Sequence, residues 1–234
     1  MRLIMFDIDG TLTDTNEVDS RCFVPALQEA FGFVKVDDDW SHYTQSTDSG
    51  IIDELFQIRE RRAASAGELA RFQSRFVELL NAAADDDPRA FKPIAGAQEA
   101  LERLRGGPDT AVALATGGWA KSARLKLERA GLGALRVPAA FADDAHARED
   151  IMRCSLARAC EHHQQRSFDA VIYVGDRPWD LRAATKLGFK FIGIARDADA
   201  ARLRAESATH VFADYLELDS FLNAVEALAG ASRQ

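Results

Sequence analysis

The chain has 234 residues, and the usual size of about 150 residues per domain allows one large core with a smaller insert. Apolar residues make up 47% and charged residues 28% of the sequence, a composition typical of a soluble globular protein. The net charge of -8 and the isoelectric point near 5.2 argue against a surface for nucleic acid or an anionic membrane, because both need concentrated lysine and arginine.

The first predicted element is a buried strand at residues 3–8, in the stretch LIMFDIDGTLTDT. Its apolar run is typical of an interior strand of a parallel sheet. The run meets Asp7 before the core of a signal peptide could form, and no apolar run approaches the ~18 residues of a membrane span. We therefore expect a cytoplasmic protein.

A long gap, from about residue 15 to 95, separates this strand from the next one. Helical patterns occupy much of it, at 22–32, 51–65 and 68–84. We therefore expect a small α-helical cap domain at 16–92, inserted into a core domain formed by 1–15 and 93–234.

Strands and helices then alternate to residue 194. The further strands are predicted at 110–115, 137–141, 169–174 and 189–194. The helices are predicted at 96–105, 119–131, 149–163 and 179–188. This alternation predicts an α/β fold with a Rossmann-like, doubly wound parallel sheet.

Polar side chains follow three of the predicted strands at the point where each strand ends. They are Asp7 and Asp9, then Thr116 with Gly117 and Gly118, then Asp176 and Asp180. The carboxyl ends of parallel strands share one edge of the sheet, so these carboxylates should converge. Two carboxylates ~4 Å apart repel by about 4 kcal/mol at an effective dielectric of ~20. An all-oxygen site of this kind favours Mg²⁺.

Three of these segments also resemble known motifs. DIDGTLTDT, ATGG and VGDRPWDLRAA occur in the order of motifs I, II and IV of the haloacid dehalogenase superfamily of phosphohydrolases. The insert resembles the helical cap of phosphoglycolate-phosphatase-like members. The resemblance implies a phosphatase with a capped Rossmann-like core.

The resemblance also implies a role for each motif residue. Asp7 would be the nucleophile that forms an aspartyl-phosphate, and Asp9 the general acid and then base. Asp176 would complete the metal site with Asp7 and the Asp9 backbone carbonyl, while Asp180 would bind the metal through water or orient its neighbours. The Thr116 hydroxyl and the amides near Gly117 and Gly118 would hold the phosphoryl oxygens.

One position departs from the family pattern. Motif III is usually a lysine, whereas the corresponding segment here, DDAHAREDIM, has Arg148. Arginine can bind phosphate in a bidentate manner, although its planar fork does not superpose on an ammonium. A surface charge at a helix end is the alternative for Arg148, and Lys121 is a weaker candidate for the motif III role.

The cap should select the substrate. Thr47 and Asp48 resemble a segment that faces the active site in phosphoglycolate-phosphatase-like proteins, and either of them could instead cap the helix that follows. We expect the partner to be a small phosphorylated metabolite, with phosphoglycolate as the first candidate, bound by a monomer or homodimer.

Two alternatives to a magnesium-dependent phosphatase stay open. A phosphosugar mutase would use the same acid/base pair, and a weakly active phosphate-binding regulatory module would keep the fold and the metal site. Dehalogenation is disfavoured, because it has no alkoxide for Asp9 to protonate.

Overall fold

The core of the protein is a six-stranded parallel sheet. The computed structural model describes residues 1–230. Its strands are β1 (Arg2–Phe6), β2 (Thr110–Ala115), β3 (Ala139–Ala140), β4 (Val171–Gly175), β5 (Lys190–Ile194) and β6 (Val211–Phe212). They are arranged in the order β3-β2-β1-β4-β5-β6. The predicted α/β class with a doubly wound parallel sheet is confirmed.

Strand β1 lies between β2 and β4, which explains its apolar sequence. The side chains from Leu3 to Phe6 are fully buried, because helices cover both faces of a parallel sheet. Phe6 pairs with Leu114 on one side and with Val174 on the other. The residues that follow these three strands are therefore brought together at one edge of the sheet.

Helices surround the sheet and fill the insert. They are α1 (Asn16–Phe31), α2 (Asp48–Glu60), α3 (Ala66–Asp86), α4 (Ala97–Arg105), α5 (Ala120–Arg129), α6 (Arg148–His162), α7 (Pro178–Lys186), α8 (Asp197–Ala205) and α9 (Leu218–Gly230). Helix α1 begins before the predicted 22–32, and β6, α8 and α9 were not predicted. None of the helices within residues 1–230 has the length and apolarity that crossing a bilayer requires.

Helices α1, α2 and α3 form the insert and have an apolar core of their own. The Phe23 ring contacts Phe72 and Phe76 edge to face, at centroid distances of 5.0 and 5.3 Å. Trp119 and Ala142 extend this cluster from the sheet side. The insert is helical as expected, and the domain boundaries at 16–92 and 93–234 stay a prediction.

Candidate active site

Three buried carboxylates meet at the edge of the sheet where β1 and β4 end. Asp7 directly follows β1, Asp176 follows β4, and Asp180 lies in the first turn of α7. One oxygen from each lies within 4.8 Å of the others. The parallel strand register brings these residues together across a sequence distance of more than 160 residues.

Arg148 provides a positive charge among these carboxylates. Its Nη1 lies 2.9 Å from Asp180 Oδ1 and 3.8 Å from Asp7 Oδ1. Its Nη2 donates a hydrogen bond to the Ser46 carbonyl oxygen at 3.0 Å. Only 8% of Arg148 is exposed, so it is not a surface charge at a helix end. Lys121, by contrast, is exposed on α5.

Two arginines leave the three carboxylates short of positive charge: Arg148 faces Asp180 and Asp7, and Arg177 Nε lies 3.0 Å from Asp176 Oδ2. Burial, together with Asp180, raises the pKa of Asp7 to about 7 although Arg148 opposes the shift. Burial also raises the pKa of Asp176 and of Asp180. Asp7 Oδ1 and Asp180 Oδ1 are buried and accept no hydrogen bond from residues 1–230. Buried oxygens that accept no hydrogen bond, in a group of three carboxylates, fit a hard divalent cation such as Mg²⁺.

The turn after β1 leaves no room for a side chain at Gly10. Gly10 has a φ of 72°, and a Cβ there would lie 2.1 Å from Asp176 Oδ2. The Asn16 amide donates a hydrogen bond to the same Asp176 oxygen at 2.9 Å. The glycine therefore allows the first loop to approach the carboxylate of Asp176.

The loop between β2 and α5 lies beside Arg148. Thr116 is buried, and its hydroxyl oxygen accepts a hydrogen bond from the Gly118 amide at 3.4 Å. A Cβ on Gly117 would lie 2.6 Å from Arg148 Nη2 and 3.1 Å from the Ser46 oxygen. Thr116, Gly117, Gly118 and Arg148 all line the cleft that contains Asp7.

Asp9 is held through both of its carboxylate oxygens. The Thr15 hydroxyl donates to Oδ1 at 2.6 Å, and Lys126 Nζ donates to Oδ2 at 2.6 Å. Lys126 also contacts Asp19 Oδ1 at 2.5 Å. Asp9 Oδ2 thus contacts a buried ammonium, and the metal role predicted for Asp9, through its backbone carbonyl, stays a prediction.

Lys126 and Asp19 were not among the residues that we predicted. Lys126 is 1% exposed and shares the inward face of α5 with Ser122, Ala123 and Leu127. A lysine at an apolar-face position of a helix needs a buried anionic partner. The helical periodicity of ARLKLERAG, which places Lys126 on the apolar face, was therefore the signal that could have identified this lysine.

Thr47 and Asp48 connect the insert to the sheet edge in different ways. Thr47 caps α2 by accepting from the Gly50 amide at 3.2 Å, and its hydroxyl donates to the His146 carbonyl at 2.6 Å. These bonds account for its burial, and Thr47 does not line the cleft. Asp48 does line it, and Asp48 Oδ2 accepts from the Trp119 amide at 2.9 Å.

The insert contributes both acidic and aromatic groups to the cleft. Asp19, Phe23, Trp40 and Asp48 line it from this side. On the opposite side, Asp7, Asp176 and the loop after β2 line it. Asp7 and Asp176 therefore face a space that side chains of α1 and α2 also line, whereas Asp180 is fully buried beside it.

Several solved structures share this fold. A hydrolase from Pseudomonas syringae is 19% identical with a TM-score of 0.72, over 96% of this chain and 99% of that chain. A HAD hydrolase, family IA, variant 3, from Entamoeba histolytica HM-1:IMSS is 16% identical with a TM-score of 0.63, over 93% and 95%. A "predicted phosphoglycolate phosphatase" from Haemophilus somnus 129pt is 14% identical with a TM-score of 0.57, over 94% and 97%.

At these low identities, the TM-scores and the coverage show a shared fold and nothing further. A comparison with curated proteins finds no match. The family model described as haloacid dehalogenase-like hydrolase matches residues 4–194, which is most of the chain. The protein therefore belongs to the haloacid dehalogenase-like hydrolases.

Proposed function

We propose that the protein is a magnesium-dependent phosphatase that hydrolyses a small phosphomonoester through an aspartyl-phosphate on Asp7. The observation that carries this proposal is the buried group of Asp7, Asp176 and Asp180, which Arg148 and Arg177 only partly neutralise. Three carboxylates against two arginines leave one negative charge uncompensated, and Asp7 Oδ1 and Asp180 Oδ1 accept no hydrogen bond from residues 1–230. A divalent cation together with a phosphoryl group would complete it.

Asp7 attacks phosphorus in the proposed mechanism, so it must be ionised. Burial and the nearby Asp180 raise the pKa of Asp7 to about 7, which disfavours its ionised form in the metal-free protein. Mg²⁺ bound by Asp7, Asp176 and the Asp9 carbonyl would supply positive charge that favours the carboxylate and neutralises the phosphoryl oxygens. Asp180 would position Arg148 beside this group, since the two are 2.9 Å apart.

Asp9 handles the proton in both steps. In the first, Asp7 Oδ bonds to phosphorus while the bond to the leaving oxygen breaks, and Asp9 gives its proton to that oxygen. In the second, Asp9 takes a proton from the water that attacks the aspartyl-phosphate, and Asp7 is released. The first step leaves Asp9 ionised, as the second step requires, and the second step leaves Asp9 protonated for the next cycle.

Donors around the cleft would hold the phosphoryl oxygens. They are the Thr116 hydroxyl, the amides of Gly117 and Gly118 near the N-terminus of α5, and the Arg148 guanidinium. Fixed donors of this kind stabilise the charge that develops on the oxygens in the transition state. Arg148 would take the part that a lysine has in the family pattern.

The charge of the insert side bears on the leaving group. Asp19 and Asp48 line this side, and the ammonium of Lys126 already contacts Asp9 and Asp19. A second anion, such as the carboxylate of phosphoglycolate, would meet like charge here. A leaving alcohol without a negative charge, such as a polyol, fits this wall better than the phosphoglycolate expected at first.

The test is a screen of small phosphomonoesters with and without Mg²⁺. We expect phosphate release that requires Mg²⁺, that favours uncharged leaving alcohols over phosphoglycolate, and that Asp7→Asn abolishes. Asp14→Asn is the matched control, because Asp14 is exposed in the same loop and pairs with Lys92. Retained activity in Asp7→Asn would refute the assignment of Asp7 as the nucleophile.

The two alternatives give different results in the same screen. A phosphosugar mutase would return an isomerised sugar phosphate instead of free phosphate. A binding module would retain phosphate in the presence of Mg²⁺ without turnover. Either outcome would replace the proposed hydrolysis.

A further inference from the structure

We propose that Lys126 is a positioning residue that fixes the carboxyl group of Asp9 for proton transfer, and that Asp19 of α1 holds Lys126 in place. The inference rests on the proposed phosphatase function, because it assigns Asp9 the proton-transfer role. It adds to that mechanism two residues that the motifs of the sequence do not contain.

Lys126 carries its positive charge in the interior of the protein. It lies on α5 among Ser122, Ala123 and Leu127, which are all buried, and it is 1% exposed. An isolated ammonium at such a depth would be very costly, and carboxylates must compensate it. Asp19 compensates it throughout the cycle at 2.5 Å, and Asp9, at 2.6 Å, does so whenever it is ionised.

Lys126 and Thr15 together hold the plane of the Asp9 carboxyl group. Lys126 Nζ contacts Oδ2, and the Thr15 hydroxyl contacts Oδ1, both at 2.6 Å. Thr15 precedes α1 but makes no side-chain cap there, because its hydroxyl is directed to Asp9. The Thr13 hydroxyl lies 2.6 Å from that of Thr15 and so limits its movement. Rotation of the Asp9 side chain is therefore opposed from both oxygens.

Asp19 connects this arrangement to the insert. It lies on α1, whereas Asp9 lies in the loop after β1 and Lys126 on α5. A Cβ on Gly118 would lie 3.8 to 3.9 Å from Asp9 Oδ2, Asp48 Oδ2 and Lys126 Nζ alike. One ammonium thus joins the acid/base residue to the first helix of the insert, beside the loop between β2 and α5.

The chemistry of the leaving group can separate positioning from mere structural support. An alkyl phosphate needs a proton on its leaving oxygen, whereas p-nitrophenol leaves readily as an anion. A misplaced Asp9 should therefore slow turnover of alkyl phosphates far more than turnover of p-nitrophenyl phosphate. General acid catalysis contributes about 10²- to 10⁴-fold, so a partial loss of about tenfold or more in the ratio of the two kcat values is expected.

The experiment measures kcat and KM of Lys126→Met for p-nitrophenyl phosphate and for the best alkyl phosphate from the screen, with Mg²⁺. Lys121→Met is the matched control, since Lys121 is exposed on the same helix. We expect Lys126→Met to lower kcat selectively for the alkyl phosphate, and Lys121→Met to change neither substrate. An equal loss for both substrates, or no loss, would overturn the inference.

A second variant covers the case in which Lys126→Met does not fold. Asp19→Asn leaves Lys126 and Asp9 in place but removes one partner of the ammonium. We expect it to show the same selective loss at a smaller size, and an equal effect on both substrates would overturn the inference. Failure of the proposed function is distinguished beforehand, because it would appear as Mg²⁺-independent turnover or as activity in Asp7→Asn.

Discussion

Replacing Arg148 by methionine removes the one positive side chain within residues 1–230 that contacts Asp7 and Asp180. At an effective dielectric of about 20, the Coulomb attraction is roughly 6 kcal/mol at the 2.9 Å distance to Asp180 and roughly 4 kcal/mol at the 3.8 Å distance to Asp7. Desolvation of the arginine offsets much of this, and breaking a buried pair costs about 3–5 kcal/mol in measured cases. We therefore expect Arg148→Met to lower the free energy of unfolding by about that amount without metal.

Urea unfolding with EDTA and with excess Mg²⁺ measures this effect. Mg²⁺ should reduce the loss, because the cation supplies positive charge to the same carboxylates. Arg148→Lys should cost less than methionine, since it keeps the charge and loses the bond to the Ser46 carbonyl. Turnover by Arg148→Met should fall by about 10²- to 10³-fold, as for other fixed groups that stabilise transition-state charge.

An exposed arginine on the same helix supplies the control. Arg153 is 55% exposed and pairs with Asp150 at 2.5 Å, so Arg153→Met should change stability by about 1 kcal/mol or less. If Arg148→Met destabilised the protein no more than Arg153→Met, the electrostatic reasoning would be refuted.

Two further predictions concern the glycine of the first loop and the pKa of Asp7. Gly10→Ala should lower stability by at least about 2 kcal/mol in thermal unfolding, because its φ is positive and its Cβ would contact Asp176 Oδ2. Gly67→Ala, in a helix and with open space around it, should raise stability by about 0.5–1 kcal/mol, and equal effects would contradict the steric argument. The pKa of Asp7 is raised from 3.8 to about 7 in the folded protein. Between these pH values the metal-free folded state therefore binds more protons than the unfolded state, and the free energy of unfolding should fall as the pH rises. Saturating Mg²⁺ should flatten this slope in urea titrations, whereas metal-free stability that rises from about pH 5 to pH 7 would contradict the assignment.

The sequence predicted the sheet edge well, for a physical reason. A strand such as β1 is recognisable because burial on both faces requires a continuous apolar run, and parallel strands place their carboxyl ends side by side. The sequence alone therefore predicts Asp7, Thr116 and Asp176 at one edge of the sheet. Strand β6 has two residues, which is too short for any recurring pattern.

Other parts of the site could not be predicted in the same way. The contact of Arg148 with the Ser46 carbonyl involves a backbone atom, which leaves no mark in a side-chain pattern. The Lys126 contact depends on how α5 and α1 pack, and helix phase indicates only that the lysine faces inward. Thr47 was predicted either to cap α2 or to contact the substrate. Its hydroxyl caps α2 and donates to the His146 carbonyl, and this second bond depends on how the insert packs on the sheet edge.

The central claim is that Asp7 forms a covalent bond to phosphorus. The most direct measurement traps the intermediate during turnover with Mg²⁺, by acid quenching followed by borohydride reduction and peptide mass spectrometry. Reduction of an acyl-phosphate at Asp7 should convert that residue to homoserine in the peptide that contains β1, and Asp7→Asn should give no such product. Turnover without modification at Asp7, or modification at another aspartate, would contradict the account.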